Sequence, residues 1–314
     1  MRLGPGSARR AASGRRSTVR SQSPAAGDMT AAGLAQVEAA RRDRRWEAAY
    51  VGPHPLACCS TDSVEIGSQP MAIFIFHDYV HDSAALYTAL VARYGAVRVR
   101  YVNADDVANG ILAERPAAFF RPGGASRYAA AKLRGRGYGA IRAYVQNGGT
   151  YVGICGGAYD ACSQTRWAVD TPYEIVVENS LALFEADAIG PIREFCDPRN
   201  RDGSAAKLVA LAAGERQCTA LYWGGGRFVP HAGAEYAVQA RFADLSEHSA
   251  AVVSGRFGVG RWLLCSPHLE YDHAALQLTT FEVPDNRHAD IAALGDTTHV
   301  TLDLFHHLLT EFIG

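Results

Sequence analysis

The alternation of short apolar segments with helical segments between residues 71 and 154 constrains the fold of this chain most strongly. Continuous apolar runs indicate strands that are buried on both faces. Strands that alternate with helices predict a parallel sheet with helices on both of its faces, which is an α/β fold. The predicted strands are residues 71–76, 97–102, 117–120 and 150–154, and the predicted helices between them are residues 83–94, 105–112 and 139–146, with Asp105 as the N-cap of the second helix.

The second half of the chain has a different pattern, in which strand-like segments follow one another without intervening helices. Two of these segments flank the turn at residues 255–259 and predict a β-hairpin. An amphipathic helix is expected at the C-terminal end, over residues 301–312. The predicted strands are residues 174–178, 182–184, 207–212, 218–223, 235–242, 249–254 and 260–266.

The first 70 residues differ in composition from the rest of the chain. They contain ten arginines, no lysine and six acidic residues, and the first 27 contain six arginines and no acid. Such a segment has too little apolar surface to fold alone, so we expect a disordered Arg-rich extension over residues 1–70. A mitochondrial targeting segment is the alternative interpretation, but it would need an amphipathic face that is not evident here.

The overall composition excludes several classes of protein. The 314 residues are 48% hydrophobic with a net charge of -1, which suits a globular core and argues against a dedicated nucleic-acid binder. No apolar run approaches the roughly 18 residues that a membrane span needs. The seven cysteines include no Cys-x-x-Cys pair, which favours reduced thiols in the cytoplasm.

One cysteine lies where the strand at residues 150–154 passes into a helix. The segment Gly153-Ile-Cys155-Gly-Gly157 places small residues on both sides of it. This spacing is typical of a nucleophile elbow, in which a tight turn holds the nucleophile in a strained backbone conformation. The helix N-terminus that follows favours a thiolate over a thiol. A buried structural cysteine in a glycine-rich turn is the alternative.

Two other strand ends carry residues that complement a nucleophile. Pro122-Gly123-Gly124 follows the third predicted strand, and backbone N–H groups of Gly124 and Gly156 are candidates for an oxyanion hole. His268 and Glu270 follow the strand at residues 260–266, where the imidazole is a candidate base and the carboxylate can orient it. Each motif alone also fits an ordinary turn or a surface pair, whereas three strand ends together favour a shared site.

Together these motifs resemble the class I glutamine amidotransferase-like fold, whose triad is Cys, His and Glu. Within that fold, the N-terminal domain of eukaryotic biotin–protein ligases is the family that the chain resembles most. The resemblance extends over residues 71–312 and implies one flavodoxin-like domain at residues 71–314, with a doubly wound, mostly parallel sheet and extra β-hairpins in its C-terminal half. The matching motifs are Pro-Gly-Gly-Ala at residues 122–125, Gly-Gly-x-Tyr-x-Gly-Ile-Cys-x-Gly-x-Tyr at residues 148–159, an aromatic-Gly-Gly segment at residues 222–226, Gly-x-Gly-Arg at residues 258–261 and Pro-His-x-Glu at residues 267–270.

The resemblance implies a nucleophile at Cys155, a base at His268 and an orienting acid at Glu270. Two positions depart from glutamine-hydrolysing members: Tyr159 replaces a Gln, and Leu269 replaces the Pro of His-Pro-Glu. Tyr159 matches the biotin-ligase subgroup, so glutaminase activity itself is not expected. The expected pocket residues are Pro122, Gly123, Gly157, Tyr159, Trp223, Gly224, Gly225 and His77.

Two functions therefore remain open from the sequence. The first is a cysteine hydrolase or amidase that acts on a small-molecule amide. The second is a non-catalytic module that binds a metabolite or a protein, for instance a separate biotin–protein ligase. Biotin ligase activity is not expected, because the Lys-Trp-Pro-Asn-Asp segment of that chemistry is absent. A peptidase of the same superfamily is disfavoured, since Gly156 occupies the position where those enzymes usually carry His.

The loop after the first strand carries a second group of polar residues. It contains His77-Asp78 and His81-Asp82, which a hard metal ion could use. Two His four residues apart in a loop have no fixed geometry, so we expect a polar loop that lines the pocket at His77. We expect neither a metal ion nor a cofactor.

Overall fold

The computed structural model describes residues 71–78, 83–124, 126–199, 206–278 and 302–314. The extension predicted at residues 1–70, together with His81 and Asp82, lies outside the described residues. The strands are β1 (Ile73–Phe76), β2 (Val99–Val102), β3 (Ala118–Arg121), β4 (Thr150–Ile154), β5 (Cys162–Trp167), β6 (Ile175–Glu178), β7 (Phe184–Gly190), β8 (Lys207–Ala213), β9 (Arg216–Tyr222), β10 (Arg227–Pro230), β11 (Ala237–Phe242), β12 (Ala250–Phe257) and β13 (Gly260–Cys265). The α-helices are α1 (Ala84–Tyr94), α2 (Ala104–Ala108), α3 (Ser126–Leu133), α4 (Arg136–Gln146), α5 (Gly156–Ala161), α6 (His273–Leu278) and α7 (Asp303–Phe312).

The larger sheet has nine strands in the order β2-β1-β3-β4-β13-β12-β11-β8-β9. Strands β2, β1, β3, β4 and β13 pair in parallel, and the remaining neighbours are antiparallel. The expected mostly parallel sheet is therefore corrected to a mixed sheet. The continuous apolar runs of the sequence form strands of the parallel half of the sheet. Strands β8–β9 and β12–β13 form the antiparallel hairpins of the C-terminal half.

Strand β13 joins the two halves of this sheet. It pairs in parallel with β4, with Cys265 opposite Ile154, and antiparallel with β12 on its other side. Because β4 leads into Cys155 and β13 leads into His268, this pairing places both carboxyl ends at the same edge of the sheet. Two segments that are far apart in the chain thus converge on one site.

A second sheet has four strands in the order β10-β7-β5-β6. Strand β5 begins at Cys162, directly after the six-residue helix α5. The sequence pattern also missed β5 and β10. The predicted strand at residues 182–184 overlaps β7 only at Phe184, since β7 runs from Phe184 to Gly190.

Helices cover both faces of the large sheet. Leu86 of α1 and Leu308 of α7 belong to the apolar cluster on one face, where they are buried with Ile75 and Val152. Ile141 of α4 belongs to the cluster on the opposite face. The strands between these clusters are apolar on both sides, which explains their continuous apolar sequences.

Helix α2 begins slightly earlier than the sequence suggested. Its N-cap is Asn103, whose side chain accepts from the backbone N–H of Asp106, while the Asp106 carboxylate accepts from the N–H of Asn103. This reciprocal capping box replaces the expected cap at Asp105, which lies in the first turn. In the part of the chain that the structure describes, no helix is long and apolar enough to cross a membrane.

Candidate active site

Cys155 lies at the junction of β4 and α5 in a conformation that side chains rarely adopt. Its φ is 47° and its ψ is -105°, and it precedes Gly156, the first residue of α5. Only glycine fits beside it: a Cβ on Gly153 would lie 2.6 Å from the carbonyl oxygen of Gly157. Strain of this kind persists only where surrounding structure enforces it. The tight turn from strand to helix that the sequence predicted is thus present; we call it the elbow, and the role of Cys155 as a nucleophile stays a prediction.

The glycine loop after β3 packs directly against this elbow. A Cβ on Gly156 would lie 2.1 Å from the carbonyl oxygen of Gly124, and one on Gly157 would lie 2.0 Å from that of Arg121. Gly124 has a φ of 126°, which favours glycine. The structure thus brings together the two residues whose amides were predicted to form an oxyanion hole. The N–H of Gly156 is also free of an intrahelical acceptor, because it begins a helix.

Gly123 lies close to both the cysteine and the histidine. A Cβ built on Gly123 would lie 2.5 Å from Cε1 and 3.1 Å from Nε2 of His268, and 3.3 Å from Cβ of Cys155. The imidazole edge and the cysteine side chain therefore both approach the α-carbon of the same residue. No larger residue could stand at position 123 without moving the ring.

His268 is held by contacts on both its backbone and its ring. Its N–H donates to the carbonyl of Leu221 in β9, at 2.8 Å. Its Nδ1 lies 2.7 Å from Oε1 of Glu270, and both side chains are almost completely buried. Nε2 makes no hydrogen bond of good geometry with any described residue. The ring is thus oriented by Glu270, with the Nε2 side turned to the space beside Gly123.

The protonation of His268 follows from its neighbours. Burial lowers the pKa of the imidazole, but the Glu270 carboxylate and the nearby Cys155 thiol outweigh burial and raise the pKa to about 10. The imidazolium is therefore the main form at neutral pH, balanced by the carboxylate of Glu270. Such a pair can donate a proton from Nε2 to a group that leaves beside it.

The aromatic-glycine segment after β9 lies over the thiol. Cys155 Sγ donates to the carbonyl oxygen of Trp223 at 3.4 Å. Tyr222 anchors the segment by donating to the carbonyl of Gly225 at 2.9 Å. A Cβ on Gly225 would lie 2.2 Å from the carbonyl oxygen of Ser266, so the segment also touches the start of the histidine loop. The structure therefore places Trp223 against the thiol and Gly225 against the histidine loop.

Comparison with known proteins gives the family. Residues 79–313 match the family described as Biotin-protein ligase, N terminal. The chain belongs to this family. The resemblance drawn from the glycine, cysteine and histidine motifs is thereby confirmed.

Known relatives add little about activity. An uncharacterized protein of Chlamydia muridarum (strain MoPn / Nigg) is 32% identical over 152 residues, which are 48% of this chain and 59% of that protein. The chain thus spans less than two thirds of the relative's length. Among solved structures, a cytoplasmic protein of Salmonella typhimurium LT2 is 11% identical over 77% of this chain and 99% of its own, with a TM-score of 0.46. A protein of Thermoplasma acidophilum described as a GMP synthase component is 10% identical over 76% of this chain and 98% of its own, with a TM-score of 0.40.

Tyr159 is one of the two positions where this biotin–protein ligase N-terminal domain departs from glutamine-hydrolysing proteins, and it is a buried packing residue. Its hydroxyl donates to the carbonyl of Gly224 at 3.1 Å. A Cβ on Gly190 or on Gly226 would collide with its ring or hydroxyl. Tyr159 therefore packs against the aromatic-glycine segment at residues 222–226, which contacts the thiol of Cys155. Burial raises its pKa well above the usual value for tyrosine, so it stays neutral.

The predicted pocket residue His77 directly follows β1. Its Nδ1 lies 3.1 Å from the hydroxyl of Ser83, and its ring centroid is 4.6 Å from that of Tyr101. These two contacts tie His77 to the residue before α1 and to β2, and its role in the pocket stays a prediction. Among the described residues, no group of three His, Cys, Asp or Glu side chains is placed to hold a metal ion.

The sequence missed two residues beneath the elbow. Arg121, the last residue of β3, and Asp160 of α5 form a buried ion pair, with Nη2 and Oδ2 at 3.1 Å. A charged residue directly after the apolar Ala-Phe-Phe of β3 was a visible signal. Its partner was not, because nothing in the local sequence indicates that α5 lies against the end of β3.

Proposed function

We propose that this domain is a hydrolase that cleaves a C–N amide bond of a small molecule through the thiol of Cys155. The observation that carries the proposal is the proximity of Cys155 and His268, whose side chains both lie within 3.3 Å of a Cβ built on Gly123. The His268 ring is in turn oriented by Glu270. The strained φ of Cys155 supports it, because such strain is typical of functional positions. The family match supports the fold in which this chemistry occurs, and the triad itself is our proposal.

In the proposed reaction, the Cys155 thiolate attacks the carbonyl carbon and forms a C–S bond. The carbonyl oxygen becomes an oxyanion that the amides of Gly124 and Gly156 hold, an effect worth about 10²–10³ in rate per donor. His268 gives its Nε2 proton to the nitrogen as the C–N bond breaks and an amine leaves. The imidazole then takes a proton from water, which attacks the thioester, releases the acid and restores the thiol.

The test is hydrolysis of a panel of small amides and activated esters by purified protein. We expect Cys155→Ala to abolish turnover and His268→Gln to lower it by at least about 10²-fold. Cys162→Ala is the matched control, because Cys162 is a buried thiol at the start of β5 and should leave turnover unchanged. Full activity of the Cys155→Ala protein would contradict the proposal.

A second candidate function is a non-catalytic module that binds a metabolite or a separate biotin–protein ligase. The observation that favours it is the hydrogen bond between the Cys155 thiol and the carbonyl of Trp223, which engages the proton of the sulfur. Iodoacetamide separates the two functions: a nucleophile should be labelled at Cys155 faster than at the other cysteines at neutral pH. Slow labelling, together with reversible binding to an immobilised biotin–protein ligase, would favour the module.

We also propose that β2, β1, β3, β4 and β13 form the doubly wound, flavodoxin-like core of the domain. Their parallel pairing and the helices on both faces support this assignment. We propose the cytoplasm as the location, because the described cysteines are all free thiols. Fractionation of cells would test the location against the mitochondrial alternative.

A further inference from the structure

A buried ion pair lies directly below the nucleophile elbow. The side chains of Arg121 and Asp160 are 1% and 3% exposed, and Nη2 and Oδ2 are 3.1 Å apart, although the angle is poor for a hydrogen bond. The guanidinium also lies over the ring of Phe76, 5.3 Å from its centroid. The two charged groups thus face each other and an aromatic ring, and the proposed reaction at Cys155 does not use them directly.

The pair joins two segments that both form the proposed site. Arg121 directly precedes the glycine loop, and its Nη1 donates to the carbonyl of Pro122 at 2.7 Å. Asp160 is on α5, the helix that begins immediately after Cys155. A second contact runs beside it, because Gly157 of α5 packs against the carbonyl of Arg121. The ion pair therefore links the loop that carries Gly124 to the helix that begins at Gly156.

A buried ion pair is weak evidence for a stabilising role. Burial raises the pKa of Asp160 to about 6, even though Arg121 and a hydrogen bond from Tyr138 act to lower it. The loss of hydration thus outweighs the attraction between the two charges. Buried ion pairs are often no more stable than apolar residues of similar size in their place. The location of the pair between the glycine loop and helix α5 instead indicates a geometric role.

We propose that Arg121 and Asp160 are positioning residues that fix the glycine loop against the elbow helix. They thereby set the place of the Gly124 and Gly156 amides relative to the sulfur of Cys155. This inference rests on the proposed function of Cys155. It adds that the ion pair between Arg121 and Asp160 fixes the relative positions of the two amides of the oxyanion hole.

The proposal distinguishes two reactions of the same thiol. With p-nitrophenyl acetate, the thiolate attacks the ester carbonyl, an oxyanion forms, and p-nitrophenolate leaves as the C–O bond breaks. With iodoacetamide, the thiolate displaces iodide at a saturated carbon, and no oxyanion forms. The ratio of the acylation rate to the alkylation rate at Cys155 therefore reports the oxyanion hole, because the thiolate fraction cancels.

Several variants separate the effect of losing the ion pair on the rate ratio from a general loss of folding. Asp160→Asn removes one charge and leaves Arg121 buried alone, which is expected to destabilise the protein strongly. The double variant Arg121→Met/Asp160→Leu removes both charges with similar volume and should fold. Tyr138→Phe removes the hydrogen bond to Asp160, and Tyr144→Phe is its control, since Tyr144 lies on the same helix and donates to the carbonyl of Pro116.

The pH dependence of the rate ratio distinguishes a positioning role of the ion pair from a purely structural role. The ionisable groups that act on Asp160 or respond to it are Arg121, Tyr138, Tyr151 and Cys162, and burial keeps the three acids among them neutral well above pH 7. Protonation of Asp160 is thus the change expected as the pH falls. The rate ratio of the unaltered protein should fall below about pH 6, while that of the double variant should stay level.

Both rates are measured at Cys155 by peptide mapping, with Cys155→Ala protein for background and the full chain throughout. We expect the double variant to lower the rate ratio by at least about 10-fold, since a misplaced catalytic group costs up to about 10²-fold. Tyr138→Phe should lower the ratio less, and Tyr144→Phe should not change it. An unchanged ratio in the double variant, or an equal fall of both rates, would overturn the inference and leave the proposed function intact. Failure of Cys155 to react in the unaltered protein would instead overturn the proposed function.

Discussion

At the scale of single residues, Gly123 is the position where added size would act directly on the His268 ring. We expect Gly123→Ala to displace the His268 ring, because the added Cβ would lie 2.5 Å from Cε1. Acylation of Cys155 should fall roughly 10- to 100-fold, with a destabilisation of about 1–3 kcal/mol from overpacking. Stopped-flow release of p-nitrophenolate and thermal unfolding measure the two effects.

Gly139→Ala is the matched control for that substitution. Gly139 lies in α4, and a Cβ there would meet nothing within 4 Å. Replacing a helical glycine of this kind by alanine typically stabilises by about 0.5–1 kcal/mol. If Gly123→Ala behaved like Gly139→Ala in both measurements, the close contact of Gly123 with the imidazole would be wrong.

His268 gives a prediction for the pH dependence of stability. Its pKa is raised from 6.5 to about 10 in the folded protein, so folding favours the imidazolium. The stabilisation should be fully present below the unfolded pKa and lost as the pH rises through about 10. The difference in free energy of unfolding between the unaltered protein and His268→Gln should therefore shrink between about pH 7 and pH 10. Urea denaturation at several pH values measures it, and a constant difference would contradict the raised pKa.

The sequence identified the candidate nucleophile, base and acid because each follows an apolar strand. Cys155, His268 and Glu270 carry their chemistry in short motifs that remain visible without the fold. The roles of Arg121 and Asp160 could not be predicted, since they depend on two segments that meet only in the folded sheet. Local patterns thus indicate which groups can react, and tertiary packing decides what positions them.

At the scale of elements, the start of α2 provides a direct test of the capping box. Asn103→Ala removes the acceptor for the N–H of Asp106, and such a loss typically costs about 1 kcal/mol. Asp105→Ala, at the residue that the sequence favoured as the cap, should cost less, because Asp105 only lies in the first turn. Equal losses of unfolding free energy in chemical denaturation would contradict this assignment of the N-cap.

Elements with a strong apolar period were predictable, and those without one were not. Three of the four strands of the N-terminal half, β1, β3 and β4, are buried at every residue, and their apolar runs made them visible. Strand β5 was missed, since only Cys162 and Thr165 among its six residues are buried. Helix α5 ends at Ala161, because Cys162 pairs with β7 in the second sheet. Pairing between distant segments thus decides where both of these elements lie.

At the scale of the whole molecule, the order of the large sheet follows from one long-range pairing. The sequence predicted strands in both halves, but nothing local indicated that β13 lies beside β4. That pairing makes the sheet mixed and brings His268 to the edge where Cys155 lies. The site residues from both halves therefore depend on a single strand for their proximity.

Because β13 joins the parallel and antiparallel halves of the large sheet, we expect the described domain to unfold as one unit. Leu263 of β13 is fully buried in the cluster that also contains Val152 of β4 and Leu86 of α1. We expect Leu263→Ala to cost about 2–5 kcal/mol and to lower the transitions seen by tryptophan fluorescence and by far-ultraviolet circular dichroism equally. Val259→Ala, in the exposed turn before β13, should change stability by less than about 0.5 kcal/mol. Two separate transitions in the Leu263→Ala protein, with the antiparallel half melting first, would show that β13 does not couple the halves.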